Sequence, residues 1–125
     1  MVLGLLSISL KVADITISKA FYEKLGFSQM AGHVDQKWIM MKDANDQVIG
    51  LYEGMLKKNM LTFNPGWDAN AQNIDDYIDV RYLQKMLTRE GIDCGQVIGE
   101  NNKGPANFML TDPDGNPVLI DQHRS

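Results

Sequence analysis

The amino-acid sequence predicts an α+β domain built from two βαβββ modules. Three observations lead to this fold class. The order strand, helix and three strands occurs twice along the chain. The glycines that end the two predicted helices, Gly26 and Gly91, lie 65 positions apart, and two acidic turns, which start at Asp43 and Asp112, lie 69 positions apart. These offsets indicate an internal repeat of about half the chain. A general α+β sandwich with accidental symmetry is the alternative.

The first predicted module begins with residues 5–12, where apolar and polar side chains alternate with the period of a half-buried strand. Asp14 is a suitable N-cap for the helix that follows, and Gly26 suits the left-handed position that ends it. The apolar residues that recur at helical spacing, and so form its predicted buried face, are Ile17, Phe21 and Leu25. Three extended runs complete the module: 27–34, 37–42 and 47–53, the last two joined by the turn at Asp43.

The second predicted module starts with a strand at 60–64 and an irregular stretch at 65–73. Its helix ends at Gly91, and the residues of its predicted inner face are Val80, Leu83 and Leu87. We expect Arg81 and Arg89 to be solvated on the outer face. The remaining extended runs are 92–98, 107–111 and 117–122, the last two joined by the turn at Asp112.

The length and composition favour one soluble domain. The chain has 125 residues, 44% of them hydrophobic and 22% charged, which is typical of a globular protein with a single core. We predict that module one covers about 1–54, a connection about 55–59 and module two about 60–125. The net charge of −4 and the absence of a Lys or Arg run argue against a nucleic-acid partner.

The cellular location is predicted from the first ten residues and the cysteine content. The apolar start, 1–10, has neither a basic leader nor a small-residue cleavage site, which favours a core strand over a signal peptide. Cys94 is the single cysteine, so no internal disulfide is possible and nothing indicates an oxidising compartment. We therefore expect a cytoplasmic protein without a membrane partner.

Two segments resemble a known superfamily. They are SLKVADITISKAFYEKLGF, which starts at Ser9, and FMLTDPDGNPVL, which starts at Phe108. Both are similar to the vicinal-oxygen-chelate superfamily, which includes glyoxalase I, the bleomycin-resistance proteins and the extradiol dioxygenases. The resemblance spans the whole domain and implies that the modules form a cupped mixed sheet with helices on the outer face. It also implies a ligand site in the cup and a homodimer, while fold alone does not determine the chemistry.

The resemblance also locates the metal ligands of the superfamily, which are His or Glu side chains on strands one, four, five and eight. Counted from Asp14, the first would fall on Ser7, and the fourth-strand ligand would fall at about Gly50. The ligand of the last strand would fall on Leu119, and 59–64 contains no His, Glu, Asp or Cys. Divalent transition ions require several imidazole, carboxylate or thiolate donors. We therefore predict neither a metal site nor another cofactor.

Strand alternation predicts which polar side chains share the cup with these positions. Ser9 and Lys11 follow Ser7 on one face of the first strand. In the same way Tyr52 accompanies Gly50. On the last strand, Asp121 and His123 follow Leu119, so the carboxylate could orient the imidazole and raise its pKa as a base. The alternative is that both are simply solvated near the C-terminus.

Several large side chains have two interpretations. Trp38, Met40 and Met41, together with Met109 of the other module, either line an adaptable pocket or belong to the core. Trp67 follows a turn and either covers the pocket mouth or pins the long connection to the core. His33 is expected on the surface. The predicted ligand-binding residues are Ser7, Ser9, Trp38, Tyr52, Trp67, Met109, Asp121 and His123, and no catalytic residue is assigned.

The function predicted from these observations is binding of a small organic molecule in the cup between the modules, without a metal ion. Two alternatives stay open. One is a lyase, isomerase or dioxygenase-like enzyme of the same superfamily, in which His123, Asp121 or Tyr52 would act as acid and base. The other is a dimerising scaffold without a ligand.

Overall fold

The computed structural model describes residues 1–100 and 102–124, so Ser125, the predicted end of module two, lies outside the described residues. Two α-helices and eight strands occur in this part of the chain. In chain order they are β1 (Leu5–Val12), α1 (Ile15–Lys24), β2 (Ser28–His33), β3 (Trp38–Lys42), β4 (Val48–Glu53), β5 (Met60–Asn64), α2 (Val80–Arg89), β6 (Ile98–Gly99), β7 (Ala106–Thr111) and β8 (Pro117–Gln122). The predicted α+β class and the two βαβββ modules are confirmed.

The chain divides into two compact units. The N-terminal unit is Ser7–Met60, and the C-terminal unit combines Met1–Leu6 with the residues from Leu61 onward. Leu3 packs against the core of the C-terminal unit. The first residues of the chain therefore belong, by their packing, to the half of the sequence that follows Met60.

The N-terminal unit has the strand order β2-β3-β4-β1, with β1 parallel to β4 and the other pairs antiparallel. Its core lies between α1 and one face of these strands. The buried core residues are Ile15, Ile39, Met41, Ile49 and Leu51. Of the two interpretations of Met41, pocket lining or core, the structure shows the core.

The C-terminal unit repeats this arrangement with the order β5-β8-β7-β6, in which β5 is parallel to β8. Its helix α2 packs against one face. The buried core residues are Val80, Leu83, Cys94, Ala106, Phe108 and Ile120, and Leu87 packs against them. The predicted inner face of the second helix is confirmed. No helix in the described part of the chain is both long and apolar enough to cross a membrane.

The predicted buried face of the first helix is wrong, although the helix itself and its N-cap are confirmed. Asp14 accepts hydrogen bonds from the backbone N–H groups of Thr16 and Ile17. The expected core residues are nevertheless exposed, at 68% for Ile17, 55% for Phe21 and 59% for Leu25. The helix carries two apolar stripes, and only one of them can face the strands.

The stripe that is buried is selected by a contact with the end of β4. The Glu53 carboxylate accepts a hydrogen bond of 2.9 Å from the backbone N–H of Ile15, and it lies 3.0 Å from the Lys37 ammonium. This contact holds the first turn of α1 against the strands, so that Ile15 is buried and Tyr22 is partly buried. Ile15 and Glu53 are 38 positions apart, so the spacing of apolar residues within the helix does not predict their contact.

Two further expectations for the C-terminal unit are wrong. The extended run 92–98 forms a strand only at its end, in Ile98–Gly99. Asp93 accepts from the N–H of Gly95, which has φ +57, and Cys94 turns into the core, so the segment is a loop. Arg81 is not solvated, because only 13% of its side chain is exposed. Arg89 is exposed as predicted.

Arg81 instead joins α2 to the segment before β7. Its guanidinium pairs with Asp79 at 3.1 Å and donates to the backbone carbonyls of Glu100, Lys103 and Gly104. Five N–H groups in a planar fork suit such a set of acceptors. Arg81 is therefore a structural residue of the C-terminal unit.

Three acidic turns in the described part of the chain share one structure. They begin at Asp43, Asp68 and Asp112. In each, the first carboxylate accepts hydrogen bonds from the backbone N–H groups of the third and fifth residues. The fourth residue has a positive φ of 61°, 57° and 88°, respectively. The turn at Asp68 lies in the stretch predicted to be irregular.

Candidate functional site

The face of the C-terminal strands that points away from α2 can be identified from Gln122. Its side chain is fully buried and its amide oxygen accepts a hydrogen bond of 2.9 Å from the backbone N–H of Val80, the first residue of α2. Because successive side chains alternate along a strand, Asp121 and His123 point to the opposite face. We call this surface the helix-free face of the C-terminal unit.

Met109 belongs to the same helix-free face. Its neighbour Phe108 is a buried core residue, and Met109 pairs with Leu119, the position of the superfamily's last metal ligand. The Met109 side chain is 44% exposed. It is therefore a surface residue here and not part of the α2 core.

Trp67, Asp121 and His123 form one cluster. The His123 Nε2 atom lies 3.0 Å from Asp121 Oδ2. The indole of Trp67 stacks on the imidazole with ring centroids 4.9 Å apart and an angle of 11° between the planes. Three of the predicted ligand-binding residues are thus brought together. Asp121 contacts the imidazole at Nε2, and Trp67 covers one flat face of the ring.

The loop that carries Trp67 is held by residues that the sequence analysis missed. The Trp67 indole N–H donates to the Asn73 side chain at 3.1 Å. Arg124 donates to the carbonyls of Gly66 and Ile74, and its guanidinium lies 4.1 Å from the centre of the Tyr77 ring. No motif marks Arg124, because its partners are far away along the chain.

Asn64 holds the strand beneath the cluster. The side-chain NH₂ group of Asn64 donates a hydrogen bond of 2.7 Å to the backbone carbonyl of Asp121, and the backbone carbonyl of Asn64 accepts from the backbone N–H of Trp67 at 3.2 Å. Asn64 is only 2% exposed. Asn64 therefore positions the backbone at two members of the cluster, Asp121 and Trp67.

The hydrogen bond to Asp121 raises the pKa of His123 above its ordinary value of 6.5, while partial burial opposes the shift. An ionised carboxylate stabilises the imidazolium form and orients the ring. His123 therefore keeps its proton to a higher pH than a free histidine does.

Replacing Asp121 by Asn is expected to lower the pKa of His123, since the carboxylate is the main cause of the increase. A raised folded-state pKa stabilises the protein below the unfolded value, and this stabilisation is lost as the pH rises through the folded pKa. The difference in stability between the wild type and Asp121→Asn should therefore be larger near pH 6 than near pH 9. NMR titration of the His123 ring protons measures the pKa directly. An unchanged titration curve in Asp121→Asn would contradict the assignment.

The N-terminal unit has a corresponding helix-free face. Ser9, Gly50 and Met40 form one row across β1, β4 and β3. The next row is formed by Lys11, Tyr52 and Trp38. Leu10 and Leu51, between these rows, belong with the α1 core. Alternation places Ser7 on the same face as Ser9, so the four predicted residues of this unit, Ser7, Ser9, Trp38 and Tyr52, share one face.

Tyr52 lies over Gly50. A Cβ atom at position 50 would come within 2.7 Å of the Tyr52 ring, so the ring occupies the space that a side chain at the superfamily's ligand position would need. Ser7 and Ser9 are buried, at 3% and 2% exposure. The face therefore combines hydroxyl groups with a phenol and an indole.

The side chains at the superfamily's metal positions do not fit a divalent transition ion. These positions are Ser7, Gly50 and Leu119, and none of them has an imidazole, carboxylate or thiolate group. Within residues 1–100 and 102–124, no group of three or more His, Cys, Asp or Glu side chains could hold a metal ion. Metal independence stays a prediction, and we derive no step through a metal.

The chain has the vicinal-oxygen-chelate fold. A glyoxalase/bleomycin resistance protein/dioxygenase superfamily member from Vibrio splendidus 12B01 is 16% identical and aligns over 94% of this chain and 97% of its own, with a TM-score of 0.64. The NAD-dependent benzaldehyde dehydrogenase from Legionella pneumophila is 15% identical over 96% of this chain and 100% of its own, with a TM-score of 0.70.

A third similar structure is the 2,3-dioxygenase LapB from Pseudomonas sp. KL28. It is 16% identical, aligns over 98% of this chain and 40% of that longer chain, and has a TM-score of 0.58. At these identities the similarity shows the fold alone. No family model matches the sequence, and no curated protein matches it.

Proposed function

We propose that this protein binds a small organic molecule on the helix-free face of its C-terminal unit and does so without a metal ion. The observation that carries the proposal is the stacking of Trp67 on a histidine that is itself hydrogen-bonded to Asp121. A flat aromatic wall beside a charged hydrogen-bonding group is what a pocket for an amphipathic ligand requires. The His123 and Trp67 side chains are held in place by neighbours on the same unit.

The chemistry of the cluster defines the ligand class. The Trp67 ring offers apolar stacking area, and Met109 and Leu119 extend an apolar surface along β7 and β8. Nε2 of His123 is engaged by Asp121, which leaves Nδ1 as the ring nitrogen that can donate to a ligand oxygen. We therefore propose an aromatic or otherwise flat ligand that carries a carbonyl or carboxylate group.

The first test is a ligand screen by thermal shift with aromatic acids and ketones, because a ligand that binds only the folded state raises the melting temperature. For any compound found, Trp67→Ala should weaken binding by about 1–3 kcal/mol, the usual effect of truncating an aromatic residue in a binding pocket. Isothermal titration calorimetry gives the affinities.

Arg89→Ala is the matched control, since Arg89 is exposed on α2. Its affinity should equal that of the wild type. If Trp67→Ala binds as tightly as Arg89→Ala, the ligand site lies elsewhere. If no compound of this class binds, the ligand-binding proposal is wrong for the class we name.

The His123 and Asp121 pair favours a second candidate, an acid–base enzyme of the lyase or isomerase type. An oriented imidazole with a raised pKa can accept and return a proton near neutral pH. Turnover of a bound ligand that is lost in His123→Gln, with binding retained, would distinguish the enzyme from the binding protein. The homodimer and the cytoplasmic location stay predictions.

A further inference from the structure

Asn64 has a side-chain oxygen that the proposed function does not use. Phe63 pairs with Ile120 and packs with it against α2, so alternation places Asn64 on the helix-free face of the C-terminal unit. The NH₂ group of Asn64 donates to the backbone carbonyl of Asp121. This bond fixes the orientation of the amide, because the opposite orientation would bring two oxygen atoms together.

Oδ1 of Asn64 is a buried acceptor without a donor. In the described part of the chain, two buried side-chain atoms have no hydrogen-bond partner, Asn64 Oδ1 and Arg124 Nε. The Arg124 guanidinium still donates to Gly66 and Ile74, whereas Oδ1 is the one side-chain acceptor of Asn64. Asn64 is 2% exposed. An unpaired buried polar atom is unfavourable, so a bound molecule that supplies a donor here gains a hydrogen bond.

A second acceptor lies beside this oxygen. Asp121 follows Ile120 as Asn64 follows Phe63, so the two side chains are neighbours across the parallel strands β5 and β8. The Asp121 oxygen that contacts His123 is Oδ2, and Oδ1 is the other oxygen of the carboxylate. A protonated amino group has three N–H donors and a positive charge, so it suits an amide oxygen beside a carboxylate better than a hydroxyl group does.

The position of the two acceptors determines where the ligand carries its donor. Asp121 lies 3.0 Å from Nε2 of His123, and the proposed function directs the other imidazole nitrogen to the carboxylate of the ligand. The amino group must therefore lie close to that carboxylate, on the adjacent carbon, while the aromatic ring contacts Trp67.

We infer that the ligand is an aromatic 2-amino acid, whose amino group donates to Asn64 Oδ1 and to Asp121. This inference rests on the proposed function and narrows its ligand class. Asn64 is then a specificity residue, because a compound without the donor leaves its buried oxygen unpaired. Since Oδ1 is covered in the free protein, the connection that starts at Pro65 must shift as the ligand enters.

The test compares three probes with one skeleton: phenylalanine in both enantiomers, phenyllactate and 3-phenylpropanoate. They carry an amino group, a hydroxyl group and a hydrogen, respectively, next to the carboxylate. Isothermal titration calorimetry of the full chain should rank their affinities in that order, with one enantiomer of phenylalanine roughly 10-fold or more above 3-phenylpropanoate.

Asn64→Leu and Asn64→Ser should abolish this preference. The ratio of the phenylalanine and 3-phenylpropanoate affinities is compared within each variant, so a general loss of binding cancels. Circular dichroism checks that the variants stay folded, and the ranking in the wild type tests the inference without any variant.

Asn107→Leu is the matched control. Asn107 pairs with Asp121 from the other side, on β7, so it is a second amide in the same row. Neighbouring strands are about 4.8 Å apart, which places Asn107 about 10 Å from Asn64 and beyond the reach of the same amino group. This variant should keep the preference for phenylalanine.

Equal affinities of the wild type for the three probes would overturn the inference. So would a preference that survives in both Asn64 variants, or one that is lost in Asn107→Leu. If other aromatic acids bind but none of these probes does, the inference is wrong and the proposed function stands. If no aromatic acid or ketone binds, both are wrong.

Discussion

Replacing Gln122 by Met is expected to reduce the free energy of unfolding by about 3–5 kcal/mol. Gln122 is fully buried, and its side chain makes three hydrogen bonds. It accepts from the N–H of Val80 at 2.9 Å and donates to the Asp79 carboxylate at 3.1 Å and to the Gly104 carbonyl at 3.0 Å. Methionine has a similar size but leaves the buried N–H of Val80 unpaired, which costs about 1–3 kcal/mol. It also removes one hydrogen bond each from Asp79 and Gly104, which Arg81 still contacts, at about 1 kcal/mol apiece.

Urea unfolding measures this loss, and Gln47→Met provides the control. The Gln47 side chain also donates to a carboxylate, at 2.7 Å from Asp43, but at an exposed turn where water can replace it. Its loss should cost under about 1 kcal/mol. Equal losses in the two variants would mean that the buried network around α2 does not stabilise the C-terminal unit.

Gly4→Ala is expected to destabilise the protein by about 3 kcal/mol or more, because two separate costs add. Gly4 has φ +90, which is unfavourable for a residue with a Cβ atom. That Cβ would also lie 2.1 Å from the backbone oxygen of Asn64. Since Asn64 holds Asp121 and Trp67, the displacement should reach the proposed ligand site as well.

Gly26→Ala separates the two costs. Gly26 has φ +101, but no atom lies within 4 Å of the position of its Cβ. This variant should lose only about 1–2 kcal/mol, the cost of the left-handed conformation. Urea unfolding and the NMR titration of His123 report on both variants. A Gly4→Ala protein as stable as Gly26→Ala, with an unchanged His123, would show that the approach of Asn64 is not tight.

The sequence predicts those features that depend on local patterns. The strand at residues 5–12, the N-cap Asp14 and the turn residues after Asp43 and Asp112 are each recognisable within a few positions, and the structure confirms them. The apolar side of this strand is not buried throughout, because Leu6 and Ile8 are 46% and 44% exposed while Ser7 and Ser9 on the other side are buried. The predicted strand boundaries differ from the observed ones by at most one residue, apart from those of the short β6.

Features that depend on distant contacts could not be predicted. The buried face of α1 is selected by Glu53, whose contact with Ile15 is invisible to periodicity. The burial of Arg81 depends on three carbonyls that belong to a later loop. In the candidate site, alternation predicts that Asp121 and His123 share a face, but nothing in the sequence predicts that Trp67 stacks on the imidazole.

The turn at Asp68 bears on how the two modules diverged. Between β1 and α1 only residues 13 and 14 intervene, whereas 65–79 separate β5 from α2. The Asp68 turn lies in this longer connection, where the first module has only two residues, so the turn belongs to the second module alone. Trp67 lies in the same connection. If the two modules descend from one ancestral copy, the first module has only the short connection between its first strand and its helix. Trp67, the aromatic residue of the proposed site, then arose in a connection that the first module lacks.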